Sequence, residues 1–358
     1  MKTPLVRAFL ALLLLAVAAG AALPAAGAGQ NQRRVLAVEF DNDVNPVTAD
    51  YLTGQIERAN DEEFDAVAIL LDTPGGLLDS MRKITKEELA SEIPVLVYVS
   101  PDGARAASAG VWIGQAADLL AMAPQTNIGS STPVGVGGED IQKDLRRKAV
   151  NDAAASLRAL AKRHGRNARW ADRAVRRASN LSAEEALRRN VIDFIAPTLP
   201  ALLERSDGFR TKPKGFELDL AGAEIETVHM SLWKRILDTL IDPNLIVLLM
   251  SLGALGIVVE LWNPGLIFPG TVGAISLVLG FFGLSVLPVS WAGILLMLLA
   301  AGFFAAEPFV PSHGALSLAG ATSFVFGALL LFDPAGPAYE VSLPVVLAIA
   351  ATLALSMA

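Results

Sequence analysis

Hydrophobic and polar positions follow one rule up to Arg235 and another beyond it. In the first part, short apolar runs alternate with amphipathic stretches. Val35 to Phe40 predicts a strand, and Thr48 to Asn60 predicts a helix with Thr48 as its N-cap. Ala66 to Leu71 is an unbroken apolar run ending in Asp72-Thr73-Pro74-Gly75-Gly76, which reads as a buried strand feeding a tight loop. Leu77 to Ala90 predicts a helix and Pro94 to Val99 another buried strand. Helical periods recur at Ala109 to Ala117, Glu139 to Arg163 and Arg169 to Ala178. Ser182-Ala183-Glu184-Glu185 is a capping box opening a short helix, and Val191 to Ile195 closes the series as a strand. This alternation implies an α/β domain over residues 30–205, a mostly parallel sheet covered by helices. Residues 206–241 predict a linker or small hairpin, then an amphipathic interfacial segment carrying Leu232, Trp233, Ile236, Leu237, Leu240 and Ile241.

Beyond Arg235 there is no Lys or Arg, and from residue 242 onward the acids are Asp242, Glu260, Glu307, Asp333 and Glu340. A water-facing domain needs more charge than this, so residues 242–358 predict a helical transmembrane domain. Candidate spans are Pro243 to Trp262, Gly265 to Ser285, Val286 to Ala306, Ala315 to Phe332 and Val341 to Ala358. The second and third run together around Pro288, which leaves four or five helices. Gly302 with Ala306, and Ala301 with Ala305, are small residues at the spacing that lets helices approach closely. At the other end, Lys2 and Arg7 precede an apolar run from Phe9 to Ala19 and the small residues Ala25-Ala26-Gly27-Ala28. Residues 1–29 therefore predict a signal peptide, which exports the α/β domain and leaves the chain as a multi-pass protein of the cytoplasmic membrane.

Net charge is −7, and acids interleave with the arginine pairs, which argues against nucleic acid as a partner. There are no cysteines, so thiolate chemistry is excluded. His164, His229 and His313 are too scattered for a metal site, and no cofactor motif is present.

Three segments carry candidate chemistry. Arg105-Ala106-Ala107-Ser108-Ala109-Gly110 places a serine between a strand and a helix. A serine on such a turn exposes its hydroxyl, and the amides at the start of the helix favour negative charge nearby. The plain alternative is an ordinary N-cap serine. Gly75 and Gly76 can present backbone amides with no Cβ in the way, as an oxyanion hole completed by Ala109, provided their strand lies beside that of Ser108. Alternatively they form only a tight turn. Met122 to Pro133 is a polar loop whose Thr126, Gly129 and Ser130 are candidates to line a substrate cleft, with Ser131 a further donor.

Taken together these segments resemble the NfeD family, the long-form membrane-bound serine proteases of the ClpP class. Val150-Asn151-Asp152-Ala153, Gly165-Arg166-Asn167, Leu181 to Ala186, Val191-Ile192-Asp193, Asn263 to Gly270 and Glu307 to Ser312 extend the resemblance from Arg33 onward. The resemblance implies a ClpP/crotonase-like fold, a homodimer and a serine endopeptidase with a Ser–Lys dyad. It implies action on apolar segments of membrane-associated proteins, with a stomatin- or flotillin-like membrane protein as partner. Long family members continue into a small OB-like barrel, so the resemblance implies that this barrel is missing here. It also places the dyad lysine seven residues before Gly165, where this chain has Arg158. Arginine stays protonated near neutrality and cannot serve as a base. Lys148, ten residues upstream, is the expected stand-in, with Lys143 and Lys162 as other lysines on the same helix. Arginine at that position also suits a non-catalytic membrane scaffold that binds the same partner.

Overall fold

The computed structural model describes residues 33–133, 143–332 and 339–357. The expected signal peptide, the start of the helix expected from Glu139, and the break at residues 333–337 lie outside the described residues.

Six parallel strands form the main sheet. In chain order they are β1 (Arg34–Asp41), β2 (Ala66–Asp72), β3 (Val95–Val99), β5 (Leu119–Met122), β8 (Phe194–Ile195) and β9 (Glu224–Val228). Their spatial order is β8-β5-β3-β2-β1-β9. Alternate residues serve two separate cores, as the period of two requires. Val38, Phe40, Ile69, Leu71 and Val97 face one core; Val35, Ala37, Ala68, Leu96 and Leu119 face the other. Both faces are covered, which explains why these strands read as continuous apolar runs.

Helices α1 (Pro46–Asp61), α2 (Leu78–Ala90), α3 (Ala109–Ala116), α4 (Lys143–Arg163) and α5 (Ala168–Arg176) supply residues to the first core. The cap of α1 is Asn45, three residues before Thr48. The two side chains cap each other's backbone amides, so Thr48 is the second member of a capping box. Ser182 opens α6 (Ala183–Arg188) with the expected box. Leu202 and Leu203 of α7 (Leu199–Arg205) pack on the second core.

Two features depart from the sequence reading. The serine turn and the polar loop belong to a second sheet of three short strands, β4 (Arg105–Ala107), β6 (Asn127–Gly129) and β7 (Asn180–Ser182), ordered β4-β6-β7. Strands of three residues are too short to show a period. The domain also runs past residue 205. Leu218 and Leu220 are buried in the second core, and β9 adds an edge strand beside β1, so the expected linker is partly domain.

Helix α8 (Leu232–Leu240) is amphipathic, with Leu232, Trp233 and Ile236 exposed. Five apolar helices follow: α9 (Pro243–Trp262), α10 (Phe268–Val286), α11 (Trp291–Ala306), α12 (Ala315–Leu331) and α13 (Leu343–Met357). The first three, with α11 continued to Phe309, are long and apolar enough to cross a membrane; α12 and α13 are shorter. α10 and α11 are separate helices, broken at 287–290. A Cβ on Gly256 would lie 2.4 Å from the Pro269 carbonyl oxygen, and one on Gly293 would lie 2.6 Å from Leu331 Cα. Glycine thus sets the approach of α9 to α10 and of α11 to α12. Gly302, expected at such a contact, has no atom within 4 Å of its Cβ position.

Candidate active site

The site forms where the carboxyl end of β2 meets β4, the usual place for chemistry in a parallel α/β sheet. Thr73 pairs with Ala106: the Thr73 N–H donates to the Arg105 carbonyl (2.8 Å), and the Ala107 N–H donates to the Thr73 carbonyl (3.1 Å). Asp72 fastens the same junction by accepting from the Arg105 N–H at 2.9 Å. These bonds carry the glycine turn to Ser108. A Cβ on Gly75 would lie 2.5 Å from Ser108 Cβ and 3.0 Å from its Oγ, so only glycine fits there. Gly110 is needed for a similar reason, since a Cβ would lie 2.6 Å from Thr73 Cγ2.

Ser108 occupies φ 51°, ψ −111°, a strained conformation for a residue with a side chain. It stands at the N-cap of α3, yet its hydroxyl makes no capping bond and has no hydrogen-bond partner among the described residues. An ordinary N-cap serine would use that oxygen on its own helix. The backbone of Ser108 is held instead by its neighbours. Its N–H donates to the Gly129 carbonyl (3.2 Å), and its carbonyl accepts from Ser131 Oγ (2.6 Å). Gly76 and Ala109 offer amides that bond to nothing among the described residues, whereas the Gly75 N–H donates to Thr73 Oγ1 at 3.2 Å.

The polar loop behaves as scaffold. Thr126 is buried and donates to the Ala123 carbonyl. A Cβ on Gly129 would lie 2.3 Å from the Ser179 carbonyl oxygen. Ser130 donates through its hydroxyl to the Ala178 carbonyl at 3.2 Å. Of the four, Ser131 touches Ser108 most directly.

Arg166, in the Gly165-Arg166-Asn167 motif, fixes the far end of α3. Its buried guanidinium donates to the Gly114, Gln115 and Ala117 carbonyls and to Asp193 at 2.7 Å. A cation satisfies the last carbonyls of a helix, and Asp193 balances its charge. Two motifs far from the serine thereby hold the helix that begins at it.

The cationic side chains are distributed unevenly. Arg158 is ion-paired with Asp172, which also accepts from Arg176 at 3.1 Å. Burial resists ionisation of Asp172, but the hydrogen bonds from Arg176 and Arg158 outweigh it and hold the carboxyl below its ordinary value. Arg158 therefore ties α4 to α5. Lys148 lies exposed near the start of α4, and no hydrogen bond joins it to Ser108. His164 is buried. Nδ1 lies 2.9 Å from the Leu160 carbonyl oxygen, and Nε2 has no partner among the described residues. Burial, reinforced by Arg166, lowers its pKa to about 4, so the ring is neutral and structural. No cluster of His, Asp or Glu suited to a metal ion occurs among the described residues.

With this geometry the relatives are informative. Residues 34–196 match the NfeD1b N-terminal domain and residues 244–358 the NfeD integral membrane domain. The chain is 34% identical over 303 residues to the membrane-bound protease PH1510 of Pyrococcus horikoshii, an alignment covering 83% of this chain and 69% of that protein. The chain belongs to the NfeD family. It is also 28% identical over 265 residues to membrane protein NfeD1b of Bacillus subtilis, covering 70% of this chain and 56% of that protein. Among solved structures, the 1510-N membrane-bound stomatin-specific protease with a serine-to-alanine change is 34% identical, with a TM-score of 0.51, over 56% of this chain and 98% of that one. A lysine-to-alanine form of it, in complex with a substrate peptide, is 32% identical, with a TM-score of 0.53, over 58% and 98%. The α/β domain of this NfeD protein has the ClpP/crotonase-like fold, and an NfeD membrane domain follows it.

Proposed function

We propose that this protein is a membrane-bound serine endopeptidase with Ser108 as nucleophile. One observation carries the reading: a strained serine whose hydroxyl is withheld from helix capping, packed on a glycine turn beside two unengaged amides. Ser108 Oγ attacks the carbonyl carbon of the scissile peptide bond. The Gly76 and Ala109 amides receive the negative charge that develops on the carbonyl oxygen, while Gly75 gives the serine room. A lysine side chain takes the hydroxyl proton and returns it to the leaving amine as the C–N bond breaks; water then hydrolyses the acyl-enzyme by the same route.

Lys148 is the base in this scheme. The two residues replaced by alanine in the solved archaeal forms, a serine and a lysine, stand some forty positions apart, as Ser108 and Lys148 do. Arg158 is already committed to Asp172. The substrates are apolar segments of membrane-associated proteins, a stomatin-like partner foremost, since the archaeal relative is named as stomatin-specific. Leu77, which follows the glycine turn, packs against the membrane helices, so the cleft opens beside the bilayer. The exported, multi-pass arrangement and the homodimer belong to the same proposal, the first resting on the basic, then apolar, N-terminus.

A fluorophosphonate probe tests the nucleophile. We expect wild type to be labelled, Ser108→Ala to lose all labelling, and Lys148→Ala to lose about 10²-fold or more of peptide hydrolysis while Arg158→Lys retains it. The absence of a bond between Ser108 and Lys148 favours the scaffold reading as the rival. Equal labelling of wild type and Ser108→Ala, with partner binding unchanged, would establish that rival.

A further inference from the structure

The glycine turn carries contacts that the proposed chemistry does not use. Val44, in the loop between β1 and α1, grips the turn on both sides. Its N–H donates to the Gly75 carbonyl (2.7 Å), and its carbonyl accepts from the Leu77 N–H (2.7 Å). Gly76 lies between these bonds, so close that a Cβ would sit 2.1 Å from the Val44 carbonyl oxygen. The plane of the Gly76 amide is therefore set by where Val44 sits.

Both neighbours of Val44 are tied to the membrane region. Asp43 Oδ2 accepts from the Tyr339 hydroxyl, which comes from the segment between α12 and α13. Asn45 Nδ2 donates to Asp238 Oδ1 of α8 at 2.7 Å. Tyr339 is itself buried among the membrane helices, and Leu77, at the far end of the turn, packs against that same cluster. A hydroxyl donating to a carboxylate is a strong and directional link.

We propose that Tyr339 is a positioning residue through which the membrane domain, by way of Asp43 and Val44, holds the Gly76 amide in register with Ser108. This rests on the reading of Gly76 as an oxyanion donor. The substrate class named above gives the link a use, since the hole is then complete only when the α/β domain is seated on its membrane helices.

The test uses the full chain in lipid nanodiscs and the variant Tyr339→Phe, which removes one hydroxyl and keeps the ring. Hydrogen exchange over residues 73–78 is one readout, and kcat and KM for Ser108-dependent peptide hydrolysis are the other. We expect faster exchange at the turn with β3 unchanged, and about a tenfold fall in kcat with little change in KM, because a misplaced donor costs transition-state stabilisation rather than binding. Asp43→Ala should reproduce both effects, and Asp43→Asn, which keeps an acceptor oxygen, should restore most of each. Unchanged exchange at the turn overturns the proposal, as does unchanged kcat in an active protein. Protection lost in β3 as well as the turn would reduce Tyr339 to general support and also overturn it. If wild type shows no Ser108-dependent hydrolysis, the peptidase reading falls, and exchange alone decides whether the link exists.

Discussion

The water-facing domain and the membrane region both bury large apolar residues, but the membrane region sets glycine and serine among them where its helices touch. Phe40, Leu52, Ile69 and Trp170 fill the first interior. Among the helices of the membrane domain the buried residues include Gly253, Gly273, Gly280, Ser251 and Ser317, while Ile275, Leu298 and Leu318 point outward. In water, removing large apolar side chains from solvent drives folding. In lipid the outside is as apolar as the inside, so helices associate by close packing, and small residues allow it. The lesson is that hydrophobicity locates the core of the first region, whereas in the second large apolar residues lie both inside and outside, and small residues mark the closest helix contacts.

Four substitutions or conditions would sharpen or break that contrast, in decreasing order of effect. Phe40→Ala should destabilise the α/β domain by about 4 kcal/mol, read from chemical unfolding, because a cavity opens in a close-packed core. Acid should come next. His164 is neutral in the fold, with a pKa lowered to about 4, and takes up a proton once unfolded, near its ordinary value of 6.5. Its contribution is present above pH 6.5 and is lost as pH falls toward 4, by roughly 3 kcal/mol in all. His164→Gln should flatten the stability profile across that window, and an unaltered profile would remove the residue from the account. Gly273→Leu should cost about 2 kcal/mol by forcing α9 from α10, since even a Cβ would lie 2.8 Å from the Gly253 carbonyl oxygen. Cross-linking of a cysteine pair across the hairpin would report the separation. Leu298→Ala, on the lipid-facing surface, should change stability by no more than about 0.5 kcal/mol. A loss there comparable to that of Phe40→Ala would mean that the outward face of α11 is an interface rather than a lipid surface.

The site was legible in parts. Ser108 stood out because a serine set among alanines at a strand-to-helix junction is a local pattern, and the glycine turn stood out for the same reason. The division of work between them was not legible. Nothing in Asp72 to Gly76 says that the Gly75 N–H bonds to Thr73 and that the Gly76 N–H does not. Ser131 could be named as a donor, but not that it would hold the Ser108 carbonyl. Arg166 and Asp193 read as motif residues, yet their work is done at the end of α3, a helix from elsewhere in the chain.

Neighbour-scale regularities determined the alternating strands and helices, the change of solvent near residue 240, and the turn on which Ser108 stands. These follow from periods of two and 3.6 and from residues such as Gly, Ser and Asn that favour particular backbone angles, all of which act over a few positions. The meeting of Gly75 with Ser108, the grip of Val44 on the turn, and the bond between Asp43 and Tyr339, 296 positions apart, were decided only by the tertiary structure. Contacts of that range depend on how whole layers pack against one another, and no local preference along the chain encodes the distance between two loops.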